Sequence, residues 1–143
     1  MKPSFYKQET RYSCVPACLR MVFQTFGLDV SEAELRYACD STDLGTNALQ
    51  ALDVARRYGF TNTRKYTLTM EELEELANEG HPIVIVNLWP IQQIYERHAL
   101  IVLAVNATEV SVLDPAQGER LIPRAEFELG WAMREHLAIV IKR

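Results

Sequence analysis

The sequence contains few cysteines and no long apolar run. Its 143 residues include only three cysteines, Cys14, Cys18 and Cys39. A small, odd number does not make a disulfide framework, so we expect a reducing compartment and a cytoplasmic protein. No apolar run approaches the roughly 20 residues of a membrane-spanning helix, and the first residues lack the apolar core of a signal peptide. The net charge of −4 leaves no broad basic field, which argues against a nucleic-acid partner.

The sequence does contain enough apolar material for one core. Hydrophobic residues make up 48% of the chain and charged residues 24%, as in ordinary globular proteins. At this length we expect a single domain over residues 1–143. The chain shows no internal repeat, linker or low-complexity tract.

The first helix is predicted over residues 14–27. Pro16 lies in its first turn, where the N–H that proline lacks would have no partner, and Gly27 is a typical stop. Apolar residues recur at helical spacing between these two signals, so one face is predicted to be buried. They are Leu19, Val22, Phe23 and Phe26.

Three further helix starts carry capping signals. Ser31 with Glu34 and Thr69 with Glu72 have the spacing of a capping box, in which each side chain accepts a backbone N–H of the other residue. Thr46 is predicted to cap the helix between them. The inward-facing residues of that helix are predicted to be Leu49, Leu52, Val54 and Ala55.

The second half of the chain is dominated by strand signals. Residues 82–88 form a β-branched run that is apolar on both faces, which predicts a central strand. Helices followed by antiparallel strands are the α+β pattern. Further strands are predicted at residues 99–105, 110–113, 118–122 and 137–141, an edge strand within 60–68, a connecting loop at 89–97, and a brief helix from Pro123.

Cys14 stands at, or just before, the start of the first predicted helix. The positive end of the helix dipole favours an anion there, and a thiolate is an anion. The position is therefore typical of a reactive cysteine. The competing interpretation is inert packing, the common fate of free cysteines. We interpret Cys18, one turn further on, and Cys39 as packing residues.

A hairpin argument brings a histidine and an aspartate together. Residues 98–105 and 109–114 are joined by a hairpin-length loop, and a turn centred on residue 107 places Asp114 opposite Leu100. His98 lies two residues from Leu100 on the same face, so it is a diagonal neighbour of Asp114. The α-carbons of such neighbours are about 7–8 Å apart. Asp114 can then orient the imidazole, as the third member of a catalytic triad does. The alternative is that His98 has no role, as we expect for His81 and His136.

A cysteine hydrolase also needs donors for the oxyanion that develops on the substrate. The backbone N–H of Cys14 is one candidate, and the side-chain amide of Gln8, on the segment leading to the cysteine, is the second. The alternative for Gln8 is an exposed glutamine without a function.

These motifs resemble a known family. Gln8, Cys14 with Pro16-Ala-Cys, His98-Ala-Leu and Asp114-Pro follow the order and spacing of the bacteriocin-processing peptidases. These are papain-like domains that cleave double-glycine leader peptides and often sit on ABC transporters. The resemblance spans essentially the whole chain. It implies Cys14 as nucleophile and His98 as general base and acid, with Asp114 orienting the histidine and Gln8 donating to the oxyanion.

The sequence departs from the family pattern in two places. Val15 stands where the family usually has glycine, which makes the turn into the helix less permissive and narrows the pocket beside the nucleophile. Ser13 stands where an acidic residue is common. The phosphate-binding loop and spanning helices of a transporter are absent, so the chain is either a stand-alone relative or an excised domain, of which we expect the first.

The sequence thus predicts a papain-like cysteine peptidase without metal or organic cofactor. Its partners would be a peptide or protein substrate and a transporter or secretion partner. Three alternatives stay open: amide hydrolysis or acyl transfer on a small molecule, a peptide-binding module without activity, and a zinc site. The zinc site would use Cys14, Cys18 and His98, but one cysteine pair four residues apart is poor spacing for zinc.

Overall fold

The computed structural model describes residues 2–143, which form six helices and six strands. The helices are α1 (Cys14–Thr25), α2 (Glu32–Ala38), α3 (Ala48–Arg57), α4 (Met70–Glu79), α5 (Trp89–Gln92) and α6 (Arg124–Ala132). The strands are β1 (Arg64–Thr67), β2 (Ile83–Asn87), β3 (Arg97–Val105), β4 (Glu109–Asp114), β5 (Gly118–Pro123) and β6 (Leu137–Val140).

The six strands form one antiparallel sheet in the order β1-β6-β2-β3-β4-β5. The predicted α+β class with a papain-like arrangement of helices on an antiparallel sheet is therefore confirmed. β2 lies inside the sheet and all five of its side chains are buried, as its two-faced apolar pattern predicts. β1 lies at the edge and all four of its side chains are exposed.

Two apolar cores lie on opposite faces of the sheet, because successive side chains of a strand point to opposite sides. Ile83 and Ile85 of β2 join the core under α1, α2 and α3. Val84 and Val86 join the second core, under α4 and α6. The sheet is thus the middle of three layers, and the first core supports the start of α1.

Two details of α3 differ from the prediction. The capping residue is Asn47 rather than Thr46: the Asn47 side chain accepts the Gln50 N–H at 2.9 Å, and the Gln50 side chain accepts the Asn47 N–H at 3.0 Å. Thr46 is buried instead and its hydroxyl contacts Ser41. Leu49 is 64% exposed, because it lies off the helix face that carries the buried residues. The residues that α3 buries are Ala51, Val54 and Ala55, with Leu52 half-buried.

The other capping predictions have mixed outcomes. The box of Thr69 and Glu72 is confirmed in both directions. Ser31 caps α2 by accepting the N–H of Glu34 at 3.1 Å, but the Glu34 carboxylate accepts the Tyr58 hydroxyl instead of closing the box.

The predicted loop at residues 89–97 contains the one-turn helix α5. Pro90 lies in its first turn, where proline is favoured. Gln93 ends it in the left-handed conformation, with a φ of 58°. This turn forms a wall beside the start of β3.

The β3–β4 hairpin has the predicted register where it matters for the site. Ile101 lies opposite Leu113, and this pairing continues toward Asp114 as predicted. Nearer the turn the register shifts by one residue, at an irregularity between Val102 and Ala104. At the shift Leu103 is the extra residue of β3, as in a β-bulge.

Gly130 on α6 lies against the end of β2, so it tests how closely these elements pack. A Cβ at this position would come within 2.5 Å of the Asn87 carbonyl oxygen. We expect Gly130→Ala to lower the free energy of unfolding in urea by about 1–3 kcal/mol, because overpacking displaces backbone. Gly80→Ala is the matched control, since nothing lies within 4 Å of its added Cβ. Equal stability of the two variants would contradict the close approach of α6 to β2.

Candidate active site

Cys14 is the first residue of α1 and is half-buried. The N–H groups of a helix's first turn lack intrahelical partners, so those at Cys14 are available to a bound group. The next residues, from Val15 on, are buried in the first core and fix the position of the helix start. The sulfur therefore lies at a rigid, electropositive point of the fold.

His98 lies near the start of β3, beside the end of β4. Its Nε2 is 2.7 Å from Asp114 Oδ1. The Cys14 side chain lies next to the imidazole, and both residues line one cavity. Since Nε2 serves the carboxylate, Nδ1 is the nitrogen left for the thiol. The structure thus brings three of the four predicted site residues into one contiguous series.

The surroundings of His98 favour its protonated form. Burial by itself would lower the pKa of His98, but the Asp114 carboxylate and the Cys14 side chain together raise that pKa to about 9. An imidazolium beside a thiol stabilises the thiolate. The arrangement can therefore supply a nucleophile and hold its proton nearby.

Asp114 is only 1% exposed, yet its carboxylate has several donors. Burial would raise the pKa of Asp114, and the hydrogen bonds hold it below its usual value. Oδ1 accepts from His98 and, at 2.8 Å, from the Ala116 N–H, while Oδ2 accepts from Arg120 at 3.2 Å. The carboxylate is therefore ionised and held in one orientation.

Arg120 on β5 belongs to the site although the sequence analysis did not identify it. Its Nη1 donates to Asp114 and, at 3.1 Å, to the Gln92 side-chain oxygen on α5. A register signal existed, since Asp114 pairs with Gly118, and Arg120 is two residues further on the same face. It was missed because the β4–β5 pairing was not worked out.

Gln8 reaches the same region, but its amide hydrogens are already used. Its backbone N–H donates to the Pro115 carbonyl at 2.7 Å, which ties the segment to the end of β4. Nε2 donates to the carbonyls of Thr10 at 2.9 Å and Arg11 at 3.3 Å. Oε1 is buried without a hydrogen-bond partner. Donation to an oxyanion would require release of one carbonyl, and the longer bond to Arg11 is the weaker one.

Two cavities meet at His98 and share Arg11, Glu96 and His98. The larger, of about 370 Å³, contains Cys14, and the smaller, of about 190 Å³, contains Gln8. Together they make a cleft that passes both sides of His98. The larger cavity is lined by apolar side chains and by charged ones of both signs. The apolar ones include Val15, Leu44, Ile85, Ala99 and Leu137, and the charged ones include Asp43, Glu96, Arg97 and Arg134.

The remaining cysteines and histidines lie outside this series. Burial raises the pKa of the Cys18 thiol well above its usual value, and it raises the pKa of Cys39 to about 12. Both are packed in the first core, as predicted. His81 and His136 line neither cavity.

Residues 2–143 offer neither a cluster of metal ligands nor a helix that could cross a membrane. In this range no three or more histidine, cysteine, aspartate or glutamate side chains are grouped so that they could hold a metal ion. None of the helices described here combines the length and apolar character that crossing a bilayer requires.

Comparison with known proteins identifies similar sequences and folds. The family model of the Peptidase C39 family matches residues 2–142. The fold is similar to that of a double glycine motif protease from an AMS/PCAT transporter, solved in complex with the leader peptide. That chain is 23% identical with a TM-score of 0.79, over 97% of this chain and 90% of the other. No curated protein matches the chain.

Two further structures share the fold. The peptidase domain of Streptococcus ComA, a bifunctional ABC transporter involved in quorum sensing, is 24% identical with a TM-score of 0.82, over the full length of both chains. A C39-like peptidase from Bacillus anthracis is 18% identical with a TM-score of 0.82, over 95% of this chain and 92% of the other. At these identities the likeness concerns the fold, and the predicted family resemblance is confirmed by the family match.

The thiol–imidazole contact generates a prediction about alkylation. At pH 6 we expect iodoacetamide to label Cys14 much faster than Cys18 or Cys39, because those two are buried with raised pKa values. His98→Ala should slow the labelling of Cys14 about tenfold or more, since the imidazolium that stabilises the thiolate is gone. Mass spectrometry of labelled peptides measures both rates. His136→Ala is the control, and equal slowing by it would contradict a specific contact with His98.

The Arg120–Asp114 contact generates a second prediction. Arg120 places a positive charge near the imidazolium of His98, and a like charge disfavours the charged form. In a Cys14→Ala background, where the thiol no longer titrates, Arg120→Met should raise the pKa of His98 by about half a pH unit or more. Arg120→Lys, which keeps the charge, should leave it nearly unchanged. NMR titration of the imidazole measures the midpoint, and a lower midpoint in the Met variant would contradict this electrostatic effect.

Proposed function

The chain belongs to the Peptidase C39 family, and from this premise we propose that it is a cysteine peptidase whose triad is Cys14, His98 and Asp114. The observation that carries the proposal is that Cys14, His98 and Asp114 lie in one contiguous series at the start of α1, with His98 Nε2 2.7 Å from Asp114 Oδ1. A thiol, an imidazole and a carboxylate in this order are what hydrolysis through a thioester uses.

The reaction follows from the two nitrogens of His98. Nδ1 takes the proton of Cys14, and the thiolate attacks the carbonyl carbon of the scissile peptide bond. The tetrahedral intermediate collapses when its C–N bond breaks and the leaving amine takes the proton from Nδ1. Water then loses a proton to the same nitrogen and attacks the thioester, which releases the acid and restores the thiol. Asp114 keeps Nε2 engaged, so Nδ1 stays directed at the sulfur.

The oxyanion of each tetrahedral intermediate needs donors. The Cys14 backbone N–H at the helix start is one, and the Gln8 Nε2 is the other. Gln8 would give up its longer bond, to the Arg11 carbonyl, and keep the one to Thr10. The segment that carries Gln8 is held by the Pro115 carbonyl, so a small rotation of the side chain is sufficient.

We propose a leader peptide with a double-glycine-type site as the substrate. The neighbour solved with its leader peptide has this fold, and the larger cavity here has apolar walls that suit an apolar peptide segment. Val15 lines that cavity beside Cys14, and its side chain takes up room that a glycine of the substrate, which has no side chain, does not need. A transporter or secretion partner would present the peptide. The three free cysteines support a cytoplasmic location.

A synthetic peptide with a double-glycine site tests the proposal. Cys14→Ala should abolish cleavage, because no other nucleophile is in place. Gln8→Ala should lower kcat by about 10²–10³-fold with little change in KM, since an oxyanion donor acts in the transition state. Gln117→Ala, which changes another glutamine of the smaller cavity, is the matched control and should have little effect. Liquid chromatography of the two products measures the rates.

The other outcomes identify the alternatives. Cleavage by Cys14→Ala would refute the thioester mechanism. Binding of the peptide by the wild-type chain without cleavage would indicate a binding module. Hydrolysis of small amides but not of peptides would indicate an amidase or acyltransferase on the same site.

A further inference from the structure

Glu32 is a buried carboxylate that the triad does not use. It is the first residue of α2, where glutamate usually remains in water near the helix dipole. Here it is only 1% exposed. A buried charge is costly unless it is paired and hydrogen-bonded. The position of Glu32 at the start of α2 therefore does not explain why its carboxylate is buried.

The partners of Glu32 lie in the segment that precedes the nucleophile. Oε1 accepts the backbone N–H of Glu9 at 2.9 Å, and the carboxylate lies beside the Ser13 hydroxyl, which itself donates to the Thr10 carbonyl at 3.0 Å. Oε2 accepts from Arg36 at 2.9 Å, one turn later on α2. The charge is thus balanced within its own helix, while the other contacts reach residues 9 and 13.

The segment of residues 8–13 carries Gln8 at one end and joins Cys14 at the other. The Gln8 N–H is bound to the end of β4, and the Thr10 N–H donates to the Ser13 hydroxyl at 3.0 Å. Between these two, Glu9 is bound by Glu32. The segment is therefore held from the sheet on one side and from α2 on the other.

We propose that Glu32 is a positioning residue, whose carboxylate holds residues 8–13 so that Gln8 and Cys14 take their places in the site. The catalytic consequence of this inference rests on the proposed function. The hold of the Glu32 carboxylate on residues 8–13 exists in the protein without substrate. Ser13 directly precedes Cys14, so the Glu32 carboxylate reaches the chain next to the nucleophile there. If residue 13 itself carried a carboxylate, that group would lie at the point that the Glu32 carboxylate reaches now, and it could accept the Thr10 N–H.

The energetics separate this role from simple stabilisation. Burial raises the pKa of Glu32, although the Glu9 N–H, the Ser13 hydroxyl and Arg36 oppose the rise. A raised pKa means that the fold favours the neutral carboxyl, so the ionised group weakens folding at neutral pH. A neutral replacement of Glu32 should therefore leave the protein at least as stable as the wild type. If Glu32 acted only through a stabilising ion pair, the same replacement would lower the stability.

The test compares Glu32→Gln, Ser13→Asp and the double variant. Glu32→Gln should lower kcat for the double-glycine peptide about tenfold, change KM less than twofold and slow iodoacetamide labelling of Cys14 about threefold or more. Its thermal unfolding midpoint should equal or exceed that of the wild type. Ser13→Asp alone should also lower kcat, because two carboxylates then face each other. The double variant should recover to within about threefold of the wild type, since one carboxylate again serves the segment.

A control variant and the rate of Cys14 labelling distinguish the possible outcomes. Glu34→Gln changes a solvent-exposed glutamate of the same helix and should leave kcat and labelling unchanged. Three outcomes would each overturn the positioning role. The first is full activity and labelling in Glu32→Gln, and the second is a fall in its unfolding midpoint that accounts for its loss of kcat. The third is a double variant whose kcat is lowered by the product of the two single effects. If wild-type protein cleaves no peptide but labelling follows the expected order, the proposed function fails and the positioning role stands.

Discussion

The buried carboxylate of Asp114 is the constraint on which the site depends. A carboxylate removed from water must have its oxygens hydrogen-bonded, and each donor here comes from a different part of the chain. His98 is supplied by β3, the Ala116 N–H by the turn after β4, and Arg120 by β5. Loss of the register among these three strands would leave a buried charge without partners. The same requirement that orients the histidine therefore fixes the strands around it.

The sheet can meet that requirement because its centre is rigid. β2 and β3 are apolar on both faces, so alternate side chains enter separate cores and the strands cannot slip by one residue without exchanging them. The helices α1, α2 and α3 cover one face and place the start of α1 beside the start of β3. Cys14 from the N-terminal helices and His98 from the C-terminal sheet thus meet at the junction of the two halves.

The segment before the nucleophile joins these halves with polar contacts rather than apolar ones. The Gln8 N–H is bound at the end of β4, and the Glu9 N–H is bound by Glu32 of α2. Directed hydrogen bonds specify orientation, which burial of apolar area does not. Such a segment can hold Gln8 close to the site while its side-chain amide donates to backbone carbonyls; in the proposed reaction the oxyanion competes with them for that amide.

The sequence by itself determined the α+β class, the central strand and the hairpin that pairs β3 with β4, because periods of 3.6 and 2 and the length of a turn are local properties. From these the proximity of His98 and Asp114 followed. The capping of α3 by Asn47 was missed because neighbouring polar residues compete for one local role. Only the tertiary structure decided that Arg120 would reach Asp114, that Glu32 would be buried, and that the Gln8 amide would face backbone carbonyls. Those choices depend on where distant segments meet, and a buried polar group takes whichever partner that packing places within hydrogen-bond reach.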